Sequence, residues 1–323
     1  MSIRLDSVSV RYEDDLAVND LDLTIISGER FVLMGPSGSG KSTLLRAVAG
    51  LEPLETGTVE IDGKDVTTLP PHRRAVGLMF QEYALFPHLS VIDNVGYGLA
   101  MIGMGRDTAR RKASALLDLA GLQGFESRKP DSLSGGERQR VALLRTLAPE
   151  PSLVMLDEPL GSLDLALRED LLAQMRTIVT ELGATTLYVT HDRTEAFAFA
   201  ERLAIMRHGR IVRTGTPEQV WDDPQTTFVA RFIGHSNVLT GAAIGFDAPG
   251  ITVPPGALAL KDNGEIGVHI VESVFADGRY EIVVEVANGE RLRIDSPVPL
   301  DSGLSSRITV DRSAVRELVV DEV

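Results

Sequence analysis

The first sixty residues alternate apolar and polar side chains in short runs, SIRLDSVSV, LDLTI, RFVLM and TVEID, with turn residues between them. A period of two is typical of β-strands, so this region is predicted to be rich in strands. One segment, STLLRAVAG, has helical spacing instead and ends at Gly50, a residue suited to a left-handed helix cap. The opening of the chain therefore predicts strands with one helix among them.

From about Glu82 to Pro149 the pattern becomes mainly helical. The clearest amphipathic stretch is DTARRKASALLDLAGL, and the residues from Ser90 to Asp93 have the pattern of a capping box. We predict a helical subdomain over about 82–150, inserted between the strands that precede and follow it.

Two short apolar runs follow, LVMLD at 153–157 and TTLYVT at 185–190, with the helical pattern ALREDLLAQMRTIVTEL between them. Apolar runs of this length suit buried parallel strands, and their alternation with helices predicts a doubly wound α/β sheet. RLAIMRHGRIVRTG then predicts a hairpin, and TPEQVWDDPQTTFVARFI predicts one or two closing helices. Residues 1–235 are therefore predicted to form one α/β domain.

After Gly234 the pattern changes to short strands separated by DG and NG turns, as in FADGRYEIVVEVANGERLRI. This change predicts a second, all-β domain over 236–323, built as a small barrel. Residues 237–323 contain 7 Lys+Arg and 14 Asp+Glu, so the tail is acidic.

Composition and charge narrow the classes of function. A length of 323 residues indicates two domains, and 43% hydrophobic with 24% charged residues is typical of a folded protein. The absence of cysteine excludes disulfide and thiol chemistry and fits a reducing compartment. A net charge of −14 argues against a broad nucleic-acid surface. Neither the opening MSIRLDSVSV nor the uncharged NVGYGLAMIGMG resembles a signal peptide or a membrane span, so we expect any membrane role to require a partner.

The stretch GPSGSGKST matches the phosphate-loop pattern GxxxxGKS and lies between the strand RFVLM and a helix. Backbone N–H groups of such a loop surround phosphates, its lysine reaches the terminal phosphates, and its serine can ligate Mg²⁺. The residues predicted to bind the nucleotide here are Gly35, Pro36, Ser37, Gly38, Ser39, Gly40, Lys41, Ser42 and Thr43.

Other polar residues follow apolar strands of the same domain. In LVMLDEP, Asp157 is predicted to hold Mg²⁺ and Glu158 to polarise a water for attack on the γ-phosphate. His191 directly follows TTLYVT, where it is placed to contact the γ-phosphate or the water, although an ordinary core or surface histidine is the alternative. Gln81 ends VGLMF, and a surface amide is its alternative.

Taken in order, GPSGSGKST, Gln81, LSGGERQR, LVMLDEP, GSLD and His191 resemble the motifs of the ATPase subunit of an ABC transporter. The resemblance covers residues 1 to about 235. It implies a P-loop NTPase fold with a RecA-like core, an antiparallel β subdomain and a helical subdomain. It also implies ATP hydrolysis coupled to transmembrane solute transport, with ATP and Mg²⁺ as cofactors.

The resemblance explains why the chain has a second glycine turn. In this family two subunits face head to tail, and the LSGG turn of one binds the γ-phosphate of ATP held by the other. The implied protein is a homodimer in which Ser134, Gly135 and Gly136 complete the partner's site. Glu137 stands where many relatives have glutamine.

Three further roles come from the resemblance. Tyr12 resembles the aromatic residue that stacks on adenine, although a core or hairpin aromatic is its alternative. Gln81 resembles the residue that couples Mg²⁺ and water to the membrane partner. Asp164 of GSLD resembles the acidic residue that links the two sites of the dimer, a role compatible with a helix N-cap.

The tail resembles the transport-associated OB-type (TOBE) domain of importer ATPases. This implies a peripheral protein on the cytoplasmic face of the cell membrane, with an integral membrane permease as partner and an extracytoplasmic solute-binding protein as an indirect one. EYALFPHL is expected to line the groove for a permease helix, or to be core of the helical insert.

The sequence leaves several functions open. Ferric iron is the solute that the resemblance favours, with thiamine, polyamine, sulfate and sugar as alternatives. Two functions of other classes are an ABC-type ATPase acting on nucleic acid or ribosomes, and a regulator that binds nucleotide without hydrolysis. The acidic charge argues against the first, and the presence of Lys41, Asp157, Glu158 and His191 argues against the second.

Overall fold

A computed structural model describes residues 2–12, 15–80, 84–161 and 165–321. The chain divides into two compact units, Met1–Pro217 and Glu218–Val323. The boundary between the predicted domains, 1–235 and 236–323, stays a prediction.

Among its described residues the first unit has ten strands and six α-helices. In chain order they are β1 (Ser2–Tyr12), β2 (Asp15–Ile26), β3 (Arg30–Met34), α1 (Lys41–Ala49), β4 (Thr56–Ile61), β5 (Lys64–Asp65), β6 (Val76–Met79), α2 (Val91–Met101), α3 (Arg106–Leu119), α4 (Gly135–Leu147), β7 (Leu153–Asp157), α5 (Leu165–Glu181), β8 (Thr186–Thr190), α6 (Arg193–Phe199), β9 (Arg202–Arg207) and β10 (Arg210–Gly215).

The larger sheet of this unit has the strand order β10-β9-β3-β8-β7-β6. Its strands are parallel except β10, which forms the predicted hairpin with β9. All five residues of β8 and four of the five in β3 are buried, as expected for a sheet covered on both faces. The prediction of a doubly wound α/β sheet is therefore confirmed. Because β3, β7 and β8 are parallel neighbours, the residues that follow them meet at one edge.

The smaller sheet is antiparallel, with the order β2-β1-β4-β5. Helix α1 contacts strands of both sheets, and its buried Leu44 and Leu45 belong to a core shared with both of them. Between β6 and β7 the chain forms α2, α3 and α4, which pack on one another. Ser90 caps α2 by accepting a hydrogen bond from the Asp93 N–H, which agrees with the capping pattern in the sequence.

The second unit contains two helices followed by strands and short 3₁₀ turns. Its elements are α7 (Pro217–Asp222), whose first residue precedes the division, α8 (Thr227–Ile233), β11 (Val238–Leu239), β12 (Gly250–Thr252), β13 (Leu258–Leu260), β14 (Ile266–Ala276), β15 (Arg279–Val286), β16 (Arg291–Ser296), β17 (Ser305–Val310) and β18 (Arg316–Leu318).

These strands form a three-stranded sheet, β11-β12-β18, and a five-stranded sheet, β13-β17-β14-β15-β16, whose end strands β13 and β16 contact each other. The β-rich tail predicted from the turn pattern is therefore confirmed. Helix α8 belongs to this unit because its first residue, Thr227, bonds the far end of the chain: the Thr227 N–H donates to the Val319 carbonyl at 3.0 Å.

Candidate functional site

The segment between β3 and α1 makes a tight turn at the carboxyl edge of the parallel sheet. Gly40, which precedes α1, has a left-handed backbone with φ of 102°. A Cβ atom at this position would lie 2.1 Å from the carbonyl oxygen of Ala17, so only glycine fits. Because Gly40 has no side chain with which to cap α1, the first backbone N–H groups of the helix are suited to an anion.

Lys41 is the first residue of α1, and its ammonium group lies inside the turn. Its Nζ donates hydrogen bonds to the carbonyl oxygens of Gly35 and Pro36, each at 2.8 Å. Burial lowers the pKa of Lys41, and the carboxylates of Glu158 and Asp157 act in the opposite direction. The loop therefore holds one buried cation beside two carboxylates.

Ser42 and Asp157 join α1 to the end of β7. The Ser42 hydroxyl donates to Asp157 Oδ1 at 3.1 Å. Burial raises the pKa of Asp157, and the hydrogen bond from Ser42 acts to lower it. A hydroxyl and a carboxylate in contact are hard oxygen donors of the kind that Mg²⁺ prefers. Within the described ranges, no group of three or more His, Cys, Asp or Glu side chains is arranged to hold a metal ion.

Glu158 and His191 face each other across the ends of β7 and β8. Their closest atoms, Glu158 Oε1 and His191 Nδ1, are 3.0 Å apart. The Glu158 backbone has φ of 45°, and its N–H donates to the Val189 carbonyl at 3.0 Å. A non-glycine residue with positive φ is uncommon and concentrates at functional sites. The glutamate is 27% exposed and the histidine 57%, so water can reach the pair.

The second glycine turn lies at the start of α4 and closes on itself. The Ser134 N–H donates to Glu137 Oε2 at 2.7 Å, and the Glu137 N–H donates to Ser134 Oγ at 3.3 Å. These two bonds make a complete capping box. The hydrogen bond from the Ser134 backbone holds the pKa of Glu137 below its usual value. A Cβ atom on Gly136 would approach the Leu171 side chain at 3.1 Å.

The structure brings Lys41, Ser42, Asp157, Glu158 and His191 to one sheet edge, as their places at or after the ends of β3, β7 and β8 predict. Tyr12 lies at the end of β1 with 54% of its surface exposed. Gln81 and Asp164 lie outside the described residues.

Sequence reasoning missed a buried arginine at the other end of α1. Arg74 is 4% exposed. Its guanidinium donates to the Ala47, Val48, Thr67 and Leu69 carbonyl oxygens at 2.8 to 3.0 Å. A cation at a helix C-terminus is favoured by the helix dipole, so Arg74 holds α1 at the end opposite the phosphate loop. The run PHRRAVG has no pattern that distinguishes Arg74 from the arginine before it.

Sequence reasoning also missed a buried carboxylate behind His191. Glu195 is 4% exposed and accepts hydrogen bonds at 2.7 Å from the Tyr188 and Thr190 hydroxyls. The spacing of Asp192 and Glu195 is that of a capping box, which predicts a helix start but says nothing about burial.

Comparison with known proteins identifies the family. Residues 18–161 match the family described as ABC transporter. An Fe(3+) ions import ATP-binding protein from Streptomyces avermitilis is 48% identical over 274 residues, covering 82% of this chain and 79% of that protein. The chain belongs to the ABC transporter family. This ABC ATPase binds ATP, and the family resemblance found in its motifs is confirmed.

Other similar proteins are named as import proteins for different solutes. A sulfate/thiosulfate import ATP-binding protein from Mycobacterium bovis is 44% identical to this ABC ATPase, covering 86% of this chain and 80% of that protein. A spermidine/putrescine import ATP-binding protein from Acidothermus cellulolyticus is 49% identical, covering 72% and 61%.

Solved structures agree with the fold. A dimeric ATP-binding cassette in a post-hydrolysis state with ADP and Pi has a TM-score of 0.59 and 32% identity, and it covers 67% of this ABC ATPase and 98% of that chain. A second, a dimeric bacterial ABC transporter cassette, has 34% identity and the same TM-score and coverage. In the described part of this ABC ATPase, none of the helices combines the length and the apolar character needed to cross a membrane.

Proposed function

We propose that this ABC ATPase energises import of a solute through a separate integral membrane permease, with ferric iron as the solute. The observation that carries the ATPase part of the proposal is the meeting of Lys41, the Ser42–Asp157 pair and the Glu158–His191 pair at one sheet edge. Ferric iron is favoured because the relative named for it is 48% identical over 82% of this chain, whereas the polyamine relative covers 72%. Polyamines and sulfate, named in relatives with 49% and 44% identity, are the alternatives.

The phosphate loop would bind the ATP phosphates through its backbone N–H groups, from Gly35 to Thr43. Lys41 exchanges the two loop carbonyls that it now contacts for oxygens of the β- and γ-phosphates. Tyr12 stacks on adenine, and the 54% exposure of this residue is compatible with that contact.

Mg²⁺ would be held by Ser42 and Asp157, together with Gln81. The hydroxyl and carboxylate oxygens of the first two residues lie 3.1 Å apart and fit the ion's preference for hard ligands. When bound, the ion neutralises negative charge on the β- and γ-phosphates.

Glu158 would act as the general base. It accepts a proton from a water whose oxygen bonds to the γ-phosphorus, while the bond from that phosphorus to the bridging oxygen of ADP breaks. His191 holds the carboxylate through the 3.0 Å contact and reaches the γ-phosphate with its exposed ring. The products are ADP and inorganic phosphate.

A second copy of the chain would complete each site. Ser134, Gly135 and Gly136 of one copy approach the γ-phosphate held by the other, and Asp164 links the two sites. The similar solved cassettes are described as dimeric, which supports this arrangement. The chain would lie on the cytoplasmic face of the membrane, with a solute-binding protein on the other side, and residues 236–323 would form a TOBE domain.

The first experiment measures the solution mass of Glu158→Gln by light scattering, with and without Mg·ATP. This variant is expected to bind ATP without hydrolysing it, so the mass should approach twice that of the monomer only when nucleotide is present. Ser134→Arg in the same background should abolish the shift, because its side chain would occupy the space of the γ-phosphate. Arg176→Gln, on the exposed part of α5, is the control that should leave the shift intact.

Two results would contradict the proposal. If the protein binds ATP but stays monomeric, the two copies do not share a site. If the dimer forms equally without nucleotide, Ser134 does not act by contacting the γ-phosphate. The solute is tested separately. Reconstitution with candidate permeases, followed by uptake of labelled iron, putrescine or sulfate, should show ATP-dependent uptake of one solute that Glu158→Gln abolishes.

A further inference from the structure

The turn that carries His191 is held from behind by a cluster of polar and charged side chains around the buried Glu195. We call it the Glu195 cluster; its members are Tyr188, Thr190, Asp192, Glu195 and Arg168. Both the Tyr188 and the Thr190 hydroxyl donate to Glu195 Oε2, each at 2.7 Å. Residues of β8 two positions apart are thus tied to one carboxylate on α6.

The cluster holds the residues on both sides of His191. The Asp192 N–H donates to Thr190 Oγ1 at 3.0 Å, and Asp192 Oδ1 accepts a hydrogen bond from the Glu195 N–H at 3.1 Å. Three hydrogen bonds therefore link residues 190, 192 and 195 to one another. The backbone of His191 can change little without breaking at least one of them.

Arg168 extends the cluster to another helix. It lies in the first turn of α5, the helix that follows the GSLD segment. Its Nη1 is 3.4 Å from Asp192 Oδ2, and its Nε is 3.8 Å from Glu195 Oε1. One arginine thus ties α5 to both carboxylates of the turn.

Burial makes the hydrogen bonds from Tyr188 and Thr190 to Glu195 strong constraints. The Glu195 side chain is 5% exposed, and a buried carboxylate without partners would be strongly destabilising. Tyr188 is fully buried, and burial together with the neighbouring Glu195 carboxylate raises its pKa well above the usual value. The tyrosine therefore remains a hydrogen-bond donor to Glu195.

We infer that Glu195 is a positioning residue for ATP hydrolysis: it fixes the turn on which His191 faces Glu158, and Arg168 joins this turn to α5. The inference rests on the proposed role of His191. Arg168 thus places α5, the helix that follows the GSLD segment, in ion-pair contact with this turn.

The test compares Glu195→Gln and Arg168→Gln with the wild type. Glutamine keeps an oxygen to accept both hydroxyls but removes the charge that faces Arg168. Misplacement of His191 should lower kcat about 10-fold or more, with the dissociation constant for ATP within about twofold of the wild type. Arg176→Gln is the matched control, because Arg176 lies on the same helix and its Nη1 donates to the Ala198 carbonyl at 2.9 Å. Its kcat should stay within about twofold of the wild type.

A double-mutant cycle separates positioning from general stability. In a His191→Ala background, Glu195→Gln should cause no further loss of kcat, because the group that it positions is already absent. Arg168→Lys should recover part of the rate that Arg168→Gln loses. If Glu195→Gln does not fold, Tyr188→Phe makes the same comparison by removing one donor to Glu195, and Thr190→Val removes the other donor together with the acceptor of the Asp192 N–H.

The outcomes distinguish this inference from the proposed function. If His191→Ala hydrolyses ATP at the wild-type rate, the proposed role of His191 and the inference that depends on it both fail. If His191→Ala is impaired but Glu195→Gln hydrolyses ATP at the wild-type rate, only the inference fails. The same holds if Glu195→Gln lowers kcat equally in the wild-type and His191→Ala backgrounds.

Discussion

The two glycine turns of the ATPase unit, GPSGSGKST and LSGGERQR, both lead into a helix but differ in how the helix start is satisfied. Before α1, Gly40 has a left-handed backbone and Lys41 fills the turn with a buried cation. Before α4, Ser134 has an extended backbone, and its side chain forms a capping box with Glu137.

Because of this difference, we expect the two turns to bind phosphate with different strengths. The first combines N-terminal N–H groups with a positive charge, so it is suited to bind a triphosphate by itself. The second has two of its donors engaged within the capping box and a carboxylate beside them. We therefore expect the second turn to contact phosphate only where another site already supplies the cations.

The largest expected effect comes from the cation of the first turn. Lys41→Ala should weaken ATP binding about 100-fold, because it removes charge-assisted hydrogen bonds to phosphate. Titration with a fluorescent ATP analogue measures the dissociation constant, and Lys64→Ala, in the exposed strand β5, is the matched control. A Lys41→Ala protein that binds ATP as tightly as the control would show that the backbone of the loop suffices.

Backbone geometry is tested by alanine in each turn. Gly40→Ala should lower the free energy of unfolding by more than about 3 kcal/mol, since Cβ would lie 2.1 Å from a backbone oxygen. Gly38→Ala, with φ of 76° and nothing within 4 Å of the added atom, should cost only about 1 kcal/mol of backbone strain. Gly136→Ala should change the free energy by at most about 1 kcal/mol, because its neighbour is a flexible leucine and alanine favours the helix.

Urea unfolding without nucleotide measures all three glycine variants. If Gly40→Ala and Gly38→Ala lower the free energy of unfolding equally, the loop relaxes around the new side chain. A large decrease in the free energy of unfolding for Gly136→Ala would contradict the expected difference between the two turns.

Asp157→Asn tests the carboxylate beside the first turn. The pKa of Asp157 is raised by burial, so its contribution to stability is full below the unfolded pKa and is lost as pH rises through the folded pKa. At neutral pH the charge is therefore unfavourable without bound Mg²⁺, and asparagine should raise Tm by about 1 to 2 °C in the absence of nucleotide, because partial exposure to solvent screens the effect. Thermal melts at pH 3.5, below the pKa of an unfolded aspartate, and at pH 7.5 should show the gain only at the higher pH.

The same Asp157→Asn variant should lose the stabilisation by Mg·ATP that the wild type shows. A gain in Tm at both pH values would contradict the electrostatic cause, and intact stabilisation by Mg·ATP would contradict the proposed role in holding Mg²⁺.

The smallest effects are expected at the second turn. Ser134→Ala should cost about 1 kcal/mol, the usual value of an N-cap hydroxyl. Glu137 has a pKa below its usual value, so its contribution to stability is present above the unfolded pKa and is lost as pH falls through the folded pKa. Glu137→Gln keeps an acceptor for the Ser134 N–H, but its side chain does not titrate. The fall in the free energy of unfolding that protonation of Glu137 causes at low pH should therefore be absent. Unfolding at pH 3.5 and pH 7 measures the difference, and an unchanged pH profile would show that the capping box carries no charge effect.

Much of the fold was predictable because it depends on neighbours along the chain. Alternation in LDLTI, the apolar run of β8 and the place of Gly50 are local patterns, and the strands and the helix cap follow from them. The helices α7 and α8 were also predicted, but their membership of the second unit was not, because it depends on bonds between Thr227 and the chain end.

The candidate site divides in the same way. The sequence by itself determined the phosphate loop, since its glycines, lysine and serine lie within one short stretch, and it placed Asp157, Glu158 and His191 at the ends of apolar strands. Only the tertiary structure decided that Ser42 meets Asp157 across 115 residues and that His191 meets Glu158 across 33. It alone decided that Glu195 is buried against Tyr188 and Arg74 against α1. A charged residue has the same local pattern whether it faces solvent or lies buried, because burial depends on segments that are distant in sequence.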